Sequence, residues 1–162
     1  MWNKIKPNIL PYTVAVAIPL GIGGLSALLT KDSMDIYNKI NTPPLSPPAL
    51  LFPIVWTILF ILMGISSAMI FTKREKSPTE AKRGLYYYGA SLILNFLWSL
   101  LFFNLGAFLI AFIILTILLY LIVRTIICYR RVSPVAAYLQ IPYAVWVAFA
   151  GYLNIAIFIL NM

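Results

Sequence analysis

Five apolar tracts, each about as long as a bilayer is thick, decide what this chain can become. They cover about residues 9–29, 50–71, 85–103, 107–127 and 134–160. A helix crossing the hydrocarbon core needs about 20 such residues. The third and fourth tracts run together except at "NLG", residues 104–106. Asn and Gly end helices and make tight turns, so an αα hairpin is expected there. Across the 162 residues, 62% are hydrophobic and 10% charged. Soluble domains sit nearer about 45–50% and 25%, so this chain has too little polar surface to cover a soluble core. The expected fold is an all-α integral membrane protein. It is a single domain, residues 1–162, built as a five-transmembrane-helix bundle. Lys4 and Lys6 ahead of the first apolar run resemble a signal peptide. The run continues to Leu29 without a clean small-residue cleavage site, which makes it a retained first span.

Charge tests this layout. Lys4 and Lys6 precede the first span. Lys73, Arg74, Lys76, Lys82 and Arg83 follow the second, and Arg124, Arg130 and Arg131 lie at the end of the fourth. With five spans these ten of the twelve basic residues share one side. Lys31 and Lys39 face the other. Basic loops stay in the cytoplasm. The expected location is a multi-pass bacterial cell membrane, with the N-terminus inside and the C-terminus outside. The net charge of +8 is thereby a topology signal, and no nucleic-acid partner is implied.

Residues 30–49, "TKDSMDIYNKINTPPLSPPA", form the longest loop. Its two Pro-Pro pairs favour stiff, extended backbone. Ile36, Tyr37 and Ile40 supply apolar contacts, so the loop is expected to fold over the bundle mouth as a lid.

Several chemistries are excluded. No Asp or Glu lies within a span. Proton-coupled carriers and pumps place ionisable groups near the midplane. Without histidine and with Cys128 alone, no disulfide forms within the chain, no His/Cys metal site can be built, and the usual axial histidine of haem is missing. No metal and no required cofactor are expected. "GIGG" at 21–24 is a lone glycine cluster inside a span and reads as close helix packing.

The polar and aromatic residues of the spans fall on stripes. Ser91, Asn95, Trp98 and Phe102 are spaced four, three and four apart. Tyr143, Trp146, Ala150 and Asn154 repeat at three, four and four, and Phe52, Pro53, Trp56 and Phe60 form a third stripe. Such spacing puts each set on one helix face. Trp2, Tyr12 and the tyrosines at 86–88 suit the membrane interface, where aromatic belts form. Trp98 and Trp146 lie deeper. An indole N–H in a bundle interior wants an acceptor, and so does the amide of Asn95. One reading is interhelical hydrogen bonding, worth about 0.6 kcal/mol per bond in membranes. The other is a pocket with flat aromatic walls for a planar, apolar ligand. Ala150, one turn beyond Trp146, leaves room in it.

Four segments carry a resemblance: "IYNKINTPPLSPP", "FPIVWTILFILMG", "LILNFLWSLLFF" and "PYAVWVAFAGYLN". Their order and spacing resemble the translocator protein family, also called tryptophan-rich sensory proteins or peripheral-type benzodiazepine receptors. The resemblance implies a five-helix bundle, commonly a homodimer, that binds porphyrins, sterols and synthetic aromatic compounds beneath the first loop. It matches Tyr37, Pro47, Trp56, Phe60, Asn95, Trp98, Trp146 and Ala150 to the pocket, to which the stripes add Phe52 and Tyr143. The chain departs from the family at Ile36, Thr42 and Leu45, where members often carry Trp, Lys and Trp.

The function expected is a membrane receptor for porphyrin-like tetrapyrroles, protoporphyrin IX or haem, with ligand transport or sensing. Lys31 or Lys39 would meet the propionates. Alternatives are light- and oxygen-dependent porphyrin degradation, with Trp56 and Trp146 as the redox-active residues, and a sterol or lipid transporter. Small residues recur at four-residue spacing, as in Ala17 and Gly21 or Gly64 and Ala68. They allow close helix contact within a protomer or between two.

Overall fold

The computed structural model describes the backbone of residues 2–162, with side chains from residue 9 onward. It is helical: α1 (Trp2–Thr30), α2 (Asp35–Lys39), α3 (Leu51–Thr72), α4 (Pro78–Ser99), α5 (Phe108–Val132) and α6 (Pro134–Leu160). Five of these helices, all but α2, are long and apolar enough to cross a membrane. The side chains of Trp2, Lys4 and Lys6, assigned above to the interface and the basic end, lie outside the described residues.

Helix boundaries follow local chemistry more than hydropathy. α4 starts at Pro78, ahead of its apolar run, because Ser77-Pro78 sets the first turn. The proline ring pre-sets the helical φ and gives up an N–H that would lack a partner anyway. The Ser77 carbonyl accepts from Ala81 N at 2.9 Å. Ser133-Pro134 repeats the device for α6, the Ser133 carbonyl accepting from Ala137 N at 3.2 Å. At its other end α4 widens into a π-helical turn, Leu100–Asn104. Gly106 (φ 58°) then reverses the chain into α5. Asn104, rather than only ending the helix, donates through Nδ2 to the Leu29 carbonyl at 3.0 Å and ties the hairpin to α1.

α1 packs on α3, α3 on α6, α6 on α5, and α5 on α4. The ring closes poorly: α4 meets α1 and α3 only lightly. The α1–α3 contact is backbone-close. A Cβ on Gly64 would lie 2.5 Å from Val16 Cα and 2.7 Å from the Ala15 carbonyl. Gly64 therefore serves a contact within the protomer. The 21–24 glycines divide: a Cβ on Gly23 would collide with the Phe60 ring, whereas Gly21 and Gly24 have nothing within 4 Å.

The basic loops meet at one end. Arg131 Nη1 donates to Glu80 Oε1 at 3.0 Å, Arg83 lies 3.8 Å from the same oxygen, and Lys73 Nζ reaches Ser133 Oγ at 3.5 Å. These exposed pairs are worth about 0–1 kcal/mol each, and they show which loops share a face.

The loop between α1 and α3 occupies the other end. Its first half is not extended as expected: residues Lys31–Ser33 form a 3-10 turn and Asp35–Lys39 the short helix α2. Prolines begin only at Pro43, so the polar stretch before them is free to coil. The proline half is non-helical. Pro44 and Leu45 (φ 69°) turn the chain, with Ser46 N donating to the Pro43 carbonyl at 3.3 Å. The loop reaches across to α6. Asn41 N donates to Asn161 Oδ1 at 3.0 Å, Asn161 Nδ2 returns a bond to the Asn41 carbonyl at 2.9 Å, and the Tyr152 hydroxyl donates to the Pro44 carbonyl at 3.0 Å.

Gly64→Ala should separate α1 from α3 at a cost of about 1–3 kcal/mol, because backbone cannot yield as a side chain does. Thermal unfolding in detergent should fall by roughly 2–10 °C. Gly21→Ala should leave the midpoint in place. Equal midpoints for the two variants would contradict this packing.

Candidate functional site

Where the ring of helices closes poorly, a cavity of about 480 Å³ lies between α1, α3 and α4. Ligand sites typically span about 300–1,000 Å³. α3 contributes Phe52, Pro53, Trp56, Thr57 and Phe60, and α4 contributes Asn95, Phe96, Trp98, Ser99 and Phe103. α1 supplies the third wall, from Leu20 to Thr30, including Gly23 and Gly24, and Lys31 and Met34 close the loop end. The α1 wall was not foreseen. Its signal was present, because "GIGGLSA" is a small-residue face, but small residues also read as helix packing.

The aromatic wall is built by stacking. Trp56 lies over Phe60 (centroids 5.4 Å, 27°) and meets Trp98 at 6.3 Å and the edge of Tyr143 at 6.1 Å. Offset and edge contacts of this kind suit the ring quadrupoles. Glycine at position 23 lets the Phe60 ring lie directly against α1.

The two candidate polar groups of α4 have different fates. Trp98 Nε1 donates to Asn154 Oδ1 at 3.0 Å, and Asn154 Nδ2 donates to the Phe108 carbonyl at 2.7 Å. That pair pins α4 to α6 and α6 to the start of α5. Asn95 is buried and lines the cavity, yet its side chain bonds to no other described residue. It lies beside the Tyr143 hydroxyl without bonding it. Near the mouth the Ser26 hydroxyl donates to Ser99 at 2.7 Å, one of few α1–α4 links.

The remaining site candidates sit behind this cavity. Tyr143 and Ala150 are buried, and Trp146 is half-buried. None of the three lines the cavity. The α6 stripe turns toward a second layer, where Trp146 packs edge-on to Phe52 at 6.0 Å. Ala150 borders only a small void of about 10 Å³, shared with Tyr37 and Phe52. Tyr37 is buried edge-on against Phe52 at 5.2 Å and donates to the Pro47 carbonyl at 3.0 Å. Burial pushes its phenol up, so the hydroxyl remains a donor. Tyr37 and Pro47 thus brace one another and hold the loop onto α3. Of the two lysines, Lys31 borders the cavity and Lys39 does not. Among the described residues no group of His, Cys, Asp or Glu could hold a metal ion.

The TspO/MBR family model matches residues 15–160. Tryptophan-rich protein TspO from Chlorobaculum tepidum is 36% identical over 97% of this chain and 99% of its own length. The translocator protein of Bos taurus is 34% identical over 89% of this chain and 88% of its own. A tryptophan-rich sensory protein from Cereibacter sphaeroides is 30% identical over 94% of this chain and 90% of its own.

Asn154→Ala should strand a buried indole donor and a carbonyl, at about 1–2 kcal/mol. Asn95→Ala removes no bond to another described residue and should cost less than Asn154→Ala in detergent. A larger loss for Asn95 than for Asn154 would reverse the two roles.

Proposed function

The chain belongs to the TspO/MBR family, and on that premise we propose that its cavity binds flat, largely apolar ligands of the porphyrin class, for sensing or movement within the membrane. The observation that carries this reading is Asn95. Its amide has no hydrogen-bond partner among the described residues and opens to the cavity, where lipid offers it none. It stands on a wall of stacked aromatic rings, facing open volume. A ligand with an apolar face and one polar edge satisfies both features.

Affinity comes mainly from burying that face. Micromolar binding is about −8 kcal/mol, which matches the gross transfer of roughly 330 Å² of apolar surface at about 25 cal/mol per Å². Trp56 and Trp98 supply the flat aromatic wall, and Gly24 on α1 leaves the facing side free of a side chain, while Phe60 closes against Gly23. Asn95 orients the polar edge. Lys31, at the loop end, pairs with a carboxylate that stays near the mouth. With no histidine in the chain, the macrocycle is held by its faces rather than by the usual axial imidazole. The basic end lies in the cytoplasm of a bacterial cell, which puts the loop end and its cavity mouth outside. Two copies form the working unit.

Protoporphyrin IX should quench tryptophan fluorescence saturably in the dark, with micromolar midpoint. Asn95→Ala should weaken this about tenfold, the loss of one or two hydrogen bonds. Lys31→Gln should weaken protoporphyrin IX more than a porphyrin lacking carboxylates. Non-saturable quenching, or an Asn95→Ala midpoint equal to wild type, would overturn the proposal. Equal effects of Lys31→Gln on the two porphyrins would remove Lys31 from it.

A further inference from the structure

Below Asn95, toward the basic end, the bundle interior is unexpectedly polar. Ser91, Ser66, Ser67, Gln140 and the phenols of Tyr88, Tyr129 and Tyr143 are all buried there, on α3, α4, α5 and α6. Tyr88, Ser91 and Asn95 are three and four residues apart on α4, so they climb one face over about 10 Å.

Their bonding is half complete. Ser66 Oγ donates to the Ala136 carbonyl at 2.7 Å and accepts from Gln140 Nε2 at 3.2 Å. Ser67 pairs with the Tyr129 hydroxyl at 3.0 Å, and Ser91 donates to the Tyr88 carbonyl at 2.7 Å. Three atoms of the same cluster have no partner among the described residues: the Tyr88 hydroxyl, the Tyr143 hydroxyl and Gln140 Oε1. The Tyr143 hydroxyl sits beside Ser91 and Asn95, and that of Tyr88 beside Ser67, without bonding them.

Three orphaned groups in one cluster, each costing about 1–3 kcal/mol when dry, are a large burden for one small bundle. Buried water typically resolves such a cluster, because a water needs two to four polar partners and these atoms and their half-used neighbours supply them. Lipid cannot substitute, since it carries no hydrogen-bonding group at this depth.

We propose that ordered water occupies this cluster and forms a hydrogen-bonded file from Asn95, at the floor of the cavity, to Ser67 and Tyr129 near the basic end. The file bridges the Tyr143 and Tyr88 hydroxyls and branches to Gln140 Oε1. It gives the bundle a polar interior path of hydroxyls and amides, with no carboxylate, lysine or arginine in it. The proposal stands on the orphaned atoms alone and is independent of which ligand the cavity takes.

Water-edited solid-state NMR on the chain reconstituted in bilayers tests it. Magnetisation from water should reach the Ser91 side chain and the Gln140 amide early, well before Leu118 and Ile122, which are equally buried. Build-up at Ser91 and Gln140 as slow as at those two would overturn the proposal. Tyr143→Phe and Tyr88→Phe supply a second reading with a definite sign. If water is bonded there, removing the hydroxyl breaks bonds and the unfolding midpoint falls. If the site is dry, removing an orphaned hydroxyl leaves the midpoint unchanged or raises it, which would contradict the file.

Discussion

A polar group inside a lipid-bounded bundle must find its partner within the protein, and the Trp98–Asn154 hydrogen bond is where this constraint organises the molecule. Hydrophobic burial cannot choose one helix arrangement over another here, because lipid tails are as apolar as leucine. Directional bonds and close backbone contacts make the choice instead. The indole of α4 selects α6, and the Asn154 amide goes on to the Phe108 carbonyl at the head of α5. On the far side Gly64 lets α1 and α3 meet at backbone distance. Between these two fastened regions, α1 and α4 are joined by little more than the Ser26–Ser99 pair and the Asn104–Leu29 bond. The cavity is the space that this uneven fastening leaves.

Two asparagines on facing stripes thereby take opposite parts. Asn154 spends its amide on structure. Asn95, one turn from Trp98, spends nothing on the protein and faces the cavity. The loop is fastened in the same manner as the helices. The reciprocal Asn41–Asn161 bonds and the Tyr152–Pro44 bond hold it to α6, and Tyr37 and Pro47 hold it to itself. Its cover over the bundle end therefore depends on side-chain bonds to α6 as well as on proline stiffness.

Much of the fold was legible in the sequence, because hydropathy and helix breakers act locally. The five spans and the turn at residues 104–106 follow from them. Boundaries were less legible: α4 begins at Pro78, in a charged stretch that hydropathy discounts but a Ser-Pro step and Glu80 stabilise. The loop's helical first half was hidden by its prolines, which dominate the reading yet all lie downstream of α2. At the site, periodicity put Asn95 and Trp98 on one stripe but could not tell which stripes converge. That depends on helix rotation, which is fixed by Gly64 and the Trp98–Asn154 bond, two contacts between distant residues. For the same reason α1 went unnoticed as a wall, and Tyr143, Trp146 and Ala150 stand behind the cavity rather than in it.

The central claim is that a planar ligand enters the space between α1, α3 and α4. Paramagnetic broadening by a manganese porphyrin, read residue by residue from backbone amide signals in bilayers, tests it most directly. The account predicts that Gly23, Gly24, Asn95 and Ser99 lose signal first, while Leu115 and Leu118 on α5 keep theirs. Broadening centred on Ala150 and Leu153 of α6, with Gly23 and Asn95 spared, would contradict it.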